Sequence, residues 1–411
     1  MRIVLHIGQQ KSGTSAIQMA FSQASHEFQK IGILYPNPER SSAIGYNHEP
    51  LGAALNWGQR MPRGLARRFT PETLRAGFEA YARDVENEVA RVKPAVLFLS
   101  AESLFTPLDA EGGARLSGWL KTLADDIAVV AYVRRPSGIY LSKIQLQLRA
   151  TGDISRPGPV FYRGVLESWS AAFGGRLSVL PYERELLPNG DIVADFVSRF
   201  MPELPFHHVD YPRVAINSGS SNEILSLMQA FNLATVRHRA PADKTARNFE
   251  KMLVRSAEAL GHEVARPRLY EEVADWVDHA SVDLLWLRAH FGVAFRGLDY
   301  DKIGTVKATP VGKLPPVEAI CPVDRTARDR ILMQAIEPLV DKMDEDDPRR
   351  ATIGSDAVLW VHPRRRRALA EAAREGAVRA QQQSHDVIAG RVPATHDAAA
   401  REAAQEGGDD D

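Results

Sequence analysis

Short apolar runs alternate with stretches of helical spacing through the first half of the chain. Ile3-Val4-Leu5-His6-Ile7 precedes helical spacing over 14–25, the run 95–99 precedes 112–123, and Ile127-Ala128-Val129-Val130-Ala131-Tyr132-Val133 precedes 139–148. Strand-length runs that alternate with helices predict an α/β fold, a central parallel sheet wrapped by helices in three layers. A further strand over 177–182 follows the amphipathic stretch 165–173 and the stop signal Gly174-Gly175. Residues 222–291 keep helical spacing with little strand character, which predicts a helical cap. Beyond Lys302 the pattern loosens at Pro310, Pro315, Pro316 and Pro322, and an acidic run Asp344-Glu345-Asp346-Asp347 precedes Pro348. The reading is a main domain over 1–300, a helical appendage of unknown role over 301–370, and a tail over 371–411. The tail is too poor in large apolar residues to order itself and is expected to be disordered.

Charge narrows the partners. The 51 basic and 52 acidic residues leave a net charge of -1, so no global field recruits nucleic acid or an anionic membrane, and any anion site must be local. The run 127–133 is far shorter than the ~20 residues of a membrane span and reads as a buried strand. Cys321 is the sole cysteine, which excludes an internal disulfide, and the chain lacks a Cys/His cluster for structural zinc. A reducing cytoplasm fits, and because the chain opens directly on a strand, no targeting segment is expected ahead of it.

The candidate chemistry starts where the first strand ends, in Gly8-Gln9-Gln10-Lys11-Ser12-Gly13-Thr14-Ser15. A loop between a strand and a helix start gathers unpaired amides and the positive end of the helix dipole, a place for phosphate or sulfate. Gly8 is expected to turn the backbone and Gly13 to let it approach the anion. Thr14 and Ser15 can cap the helix or donate hydroxyls, and Lys11 adds a full charge. A nucleoside triphosphate loop would carry lysine immediately before Ser or Thr after the second glycine; here Lys11 comes two residues before Gly13. After the run ending at Val133 comes Arg134-Arg135-Pro136-Ser137-Gly138-Ile139-Tyr140-Leu141-Ser142, in which an arginine at a strand end and a serine on the next helix can converge on one phosphate.

The order Lys11-Ser12-Gly13-Thr14-Ser15 resembles the 5'-phosphosulfate loop of sulfotransferases that use 3'-phosphoadenylyl sulfate, and Arg134, Pro136 and Ser142 fit that family's second motif. The resemblance spans roughly 1–295 and is closest to the bacterial, glycan-directed branch. It implies a P-loop-like fold, with Lys11, Ser12, Gly13, Thr14 and Ser15 at the phosphosulfate and Arg134 and Ser142 at the 3'-phosphate. Tyr182, in Leu180-Pro181-Tyr182-Glu183-Arg184, would lie near the adenine. Asn217-Ser218 and His290-Phe291-Gly292 also look like this branch, whereas the C-terminal Arg-Lys-Gly loop of the small-molecule branch is missing. The resemblance further implies sulfuryl transfer from that donor to a hydroxyl or amine of a glycan or other small acceptor, without metal. A homodimer is left open.

In-line transfer of this kind resembles phosphoryl transfer, in which positioning and charge neutralisation supply most of the catalysis, and Lys11 would carry much of it. The acceptor must lose a proton, and His48, Glu102 and Glu39 are the candidate bases, with His48 and Glu102 nearly level. His6, inside the first strand, reads as a satisfied interior histidine, and Arg364-Arg365-Arg366-Arg367 as a solvated helix face. The competing expectations are a P-loop-type small-molecule kinase and a catalytically silent nucleotide- or glycan-binding module.

Overall fold

A computed structural model of the chain describes residues 1–37, 45–56, 69–212, 220–235, 245–261, 265–306 and 308–340. Glu39, Asn217, Ser218 and the arginine run at 364–367 lie outside the described residues. The chain divides into a unit Met1–Leu332 and a second unit Met333–Asp411, of which only residues 333–340 are described.

The first unit is α/β. Strands β1 (Arg2–Ile7), β2 (Ile33–Leu34), β3 (Val96–Ala101), β4 (Ile127–Val133) and β5 (Leu177–Pro181) form one sheet in the order β2-β3-β1-β4-β5. All its pairings are parallel, with His6 opposite Ser100 and Ile3 opposite Ile127. Apart from Arg2 the residues of β1 are buried on both faces, as a central parallel strand requires.

Helices cover each face. On one side Ile3, Leu5 and Ile7 pack with residues of α3 (Pro50–Asn56), α4 (Pro71–Val92), α5 (Ala110–Leu123), α7 (Arg163–Ala172) and α12 (Asp283–Phe291). On the other, Val4 packs with α1 (Thr14–Gln23), α2 (Ser25–Lys30) and α8 (Ile192–Phe200). Between them in the chain lie α6 (Pro136–Gln147), α9 (Asn222–Thr235), α10 (Thr245–Ala259) and α11 (Glu271–Ala280), with α13 (Arg325–Val340) last. The longest helix, α4, starts with a capping box between Thr70 and Thr73 and has Pro71 in its first turn.

Two features place the site. The connection after β1 leads to a helix on one face and that after β3 to a helix on the other, which opens a crevice at the carboxyl ends of the central strands. The segment 311–322 is strapped to α9. The buried Gln229 accepts from the amide of Val317 at 2.7 Å and donates to the carbonyl of Pro315, and Asn222 donates to the carbonyl of Pro322. Val317, Ile320 and Cys321 are fully buried there, and burial pushes the Cys321 thiol up to about 12. The helices over 222–291 also reach the core, where Leu284 and Leu287 of α12 are fully buried against the sheet's first face. Among the described residues no helix is long and apolar enough to cross a membrane.

Candidate functional site

The loop after β1 is held from inside by the carbonyl of Gln9. It accepts from the amide of Ser12, from the hydroxyl of Ser12 at 2.7 Å, and from the hydroxyl of Thr14 at 3.0 Å. Ser12 and Thr14 are buried, so their protons are spent on the loop's own backbone. The amides of Gln10, Lys11, Gly13, Thr14 and Ser15 donate to no group among the described residues. With the amino end of α1 behind them they are donors of the kind that suit an oxyanion.

The two glycines exchange the roles the sequence suggests. Gly13 makes the turn, with φ 87° at the helix boundary. Gly8 gives room: a Cβ there would fall 2.3 Å from the Thr14 methyl, so Gly8 lets Thr14 fold back over the strand end. Lys11 also adopts a left-handed conformation, φ 66°, which is uncommon for a side chain of that length and marks the loop as conformationally constrained.

Arg134 joins this loop to the second motif. Its amide donates to the side-chain oxygen of Gln9 at 2.8 Å, and its carbonyl accepts from the hydroxyl of Tyr162 at 2.7 Å. One guanidinium nitrogen donates to the carbonyl of Lys11 and, at 2.8 Å, to the hydroxyl of Ser142. The guanidinium lies against Gly138, where a Cβ would come within 2.7 Å of Nε. The convergence of Arg134 and Ser142 expected from their spacing is thus a direct contact. Burial holds the Arg134 pKa below its ordinary value, and among the described residues no carboxylate pairs with it. A half-buried cation whose protein partners are neutral oxygens is well placed to be stabilised by an anion.

Glu102 sits on a single 3-10 turn, Glu102–Leu104, directly after β3. Burial raises its pKa, and the charge of Lys11 partly opposes that rise. His48 lies elsewhere in function. It is fully buried, its Nε2 is 3.1 Å from the carbonyl of Pro36, and its Nδ1 accepts from the amide of Ser100 at 3.0 Å. That pattern fixes the Nε2-protonated tautomer and leaves no lone pair for an acceptor's proton. Burial depresses its pKa to about 4, partly opposed by the Pro36 hydrogen bond.

Tyr182 packs edge-on against the loop: a Cβ on Gly13 would lie 2.8 Å from its ring, and its amide donates to the carbonyl of Val133. Burial raises its pKa, an effect that the charges of Arg134, Arg184 and Arg266 partly oppose and that of Glu185 reinforces. Ser15 is exposed at the first turn of α1. Gln9, Tyr162 and Arg266 escaped the sequence reading. A glutamine in a loop, a tyrosine in an irregular stretch and an arginine more than a hundred residues past the motif carry no spacing signal. The chain matches no family model, no curated protein and no solved structure with which it was compared.

Proposed function

We propose that the chain is a sulfotransferase that moves a sulfuryl group from 3'-phosphoadenylyl sulfate to a hydroxyl or amine of a glycan or other small acceptor. The observation that carries this reading is Arg134, a half-buried cation with no carboxylate partner among the described residues, bridging the loop and Ser142. A donor with two separate phosphate groups needs two anion subsites. The free amides of the loop from Gln10 to Ser15 supply one, and Arg134 with Ser142 supplies the other.

The donor brings an activated sulfuryl group whose bond to the bridging phosphate oxygen breaks as the bond to the acceptor oxygen or nitrogen forms. Lys11, exposed at the loop's rim, neutralises charge that builds on that oxygen, and the loop amides hold the phosphate. Glu102, whose charge is coupled to that of Lys11, takes the acceptor's proton. Tyr182 offers its half-buried ring as a wall for the base of the nucleotide. A cytoplasmic setting belongs to the same proposal and rests on Cys321 being the sole cysteine.

The test is Lys11→Ala, assayed by transfer from the donor to a panel of glycan acceptors. Turnover at saturating donor should fall by about a hundredfold or more, while donor affinity changes by less than about tenfold. Near wild-type turnover would remove Lys11 from the reaction and the proposal with it.

A further inference from the structure

Three acceptors lie where α11 meets α12, Asp278 in the last turn of α11, Ser281 in the connection and Asp283 at the start of α12, and each takes a backbone amide from the segment 137–163. Asp278, fully buried, accepts from the Ser137 amide at 2.8 Å, the Ser137 hydroxyl at 2.9 Å and the Arg135 Nε at 2.5 Å. It therefore plugs the amino end of α6, the helix that carries Gly138 and Ser142. Ser281 accepts from the amide of Val160. Asp283 accepts from the amides of Tyr162 and Arg163 at 2.7 and 2.9 Å and so fixes the start of α7. Tyr162 in turn donates its hydroxyl to the carbonyl of Arg134.

The two aspartates thus hold Arg134 from both sides. One fixes the helix on which its guanidinium rests, and the other fixes the tyrosine that grips its carbonyl. Asp278 also pairs with Arg135, so of the two adjacent arginines Arg134 is the one with no carboxylate partner among the described residues. We infer that Asp278 and Asp283 are positioning residues that preorganise Arg134 and Ser142 for a phosphate, making the affinity for that phosphate depend on the helix pair beyond the sheet. This rests on the donor reading above, in which Arg134 and Ser142 take the 3'-phosphate.

Calorimetric affinities of the full chain for adenosine 3',5'-bisphosphate and adenosine 5'-monophosphate isolate the share of the 3'-phosphate as a ratio. In Asp278→Asn that ratio should fall by about tenfold while monophosphate affinity stays within about twofold, and Asp283→Asn should lower it by about threefold or more. If Asp278→Asn does not fold, Ser137→Ala and Arg135→Gln carry the same test, each with the ratio reduced and the monophosphate unaffected. A folded set of variants with an unchanged ratio, or with both nucleotides weakened equally, would overturn the inference and leave the donor reading standing. A wild-type chain with no preference for the bisphosphate would overturn the donor reading itself, and this inference with it.

Discussion

Arg134 and Arg135 are adjacent and chemically alike, yet their surroundings give them opposite tasks. Arg135 meets the carboxylate of Asp278, whereas the Arg134 guanidinium donates, among the described residues, to the Lys11 carbonyl and the Ser142 hydroxyl. The same contrast separates the two bases that the sequence leaves level. His48 spends both ring nitrogens on backbone groups, while Glu102 is half-buried and coupled to Lys11. Because burial raises the Glu102 pKa, its carboxylate form appears at a higher pH than for an ordinary glutamate. The rate should climb as pH passes through that raised value. Glu102→Gln should abolish this ascending limb and cost about a hundredfold or more in rate. His48→Ala should keep the limb and instead lose stability, since the Ser100 amide and Pro36 carbonyl would lack partners at about 1–3 kcal/mol each. A limb lost in His48→Ala and retained in Glu102→Gln would reverse the assignment.

At the scale of elements, β1, β3 and α1 are tied beneath the loop by a buried polar chain. Ser100 accepts from the Gln18 amide at 3.1 Å and lies 2.8 Å from Nδ1 of His6. The Ser100 hydroxyl has two lone pairs and one proton, so the Gln18 amide and Nδ1 of His6 share its hydrogen-bonding capacity. Nε2 of His6 has no hydrogen-bond partner among the described residues, and its ring lies edge-on to those of Phe196 and Tyr132. Burial alone lowers the His6 pKa to about 3. An unfolded chain protonates both histidines near pH 6.5, whereas the folded one holds His6 and His48 neutral down to about 3 and about 4. Their contribution is complete above about pH 6.5 and is lost as pH falls towards those folded values, at about 1.4 kcal/mol per pH unit for each histidine. Thermal melts between pH 7.5 and 5, above the range where ordinary carboxylates titrate, should show stability falling below about pH 6.5, a fall that His6→Gln makes shallower. A flat profile across that window would contradict the burial of neutral histidines.

The elements that surround the site were legible in the sequence to different degrees. The buried strands announce themselves as short apolar runs, and Gly8 and Gly13 mark the loop. Helix α4 carries clear start signals at Thr70 and Pro71 but touches none of the motifs, so a reading led by motifs passes over it. His48 reads as a loop residue because its neighbours are polar. Its burial comes from the tilted ring of Tyr35, 4.3 Å away, and from β3, contacts that no local pattern encodes.

Across the whole molecule, chain order hides what folding brings together. Lys11, Glu102, Arg134 and Tyr182 follow four different strands, and the parallel arrangement delivers all four to the same end of the sheet. That gathering follows from the α/β pattern and was legible before any coordinates. The contributions of Asp278 and Asp283 were not, because a carboxylate at a helix end gives no sign of which distant amides it will meet. The strap at 311–322 is similar: its prolines suggest a loosened chain, yet Gln229 and Asn222 bind its carbonyls to α9. The most direct test of the account is the equilibrium affinity of the full chain for adenosine 3',5'-bisphosphate against ATP. Two anion subsites without a Walker lysine predict that the bisphosphate binds at least about tenfold more tightly. Tighter binding of ATP would contradict the sulfotransferase reading at its root.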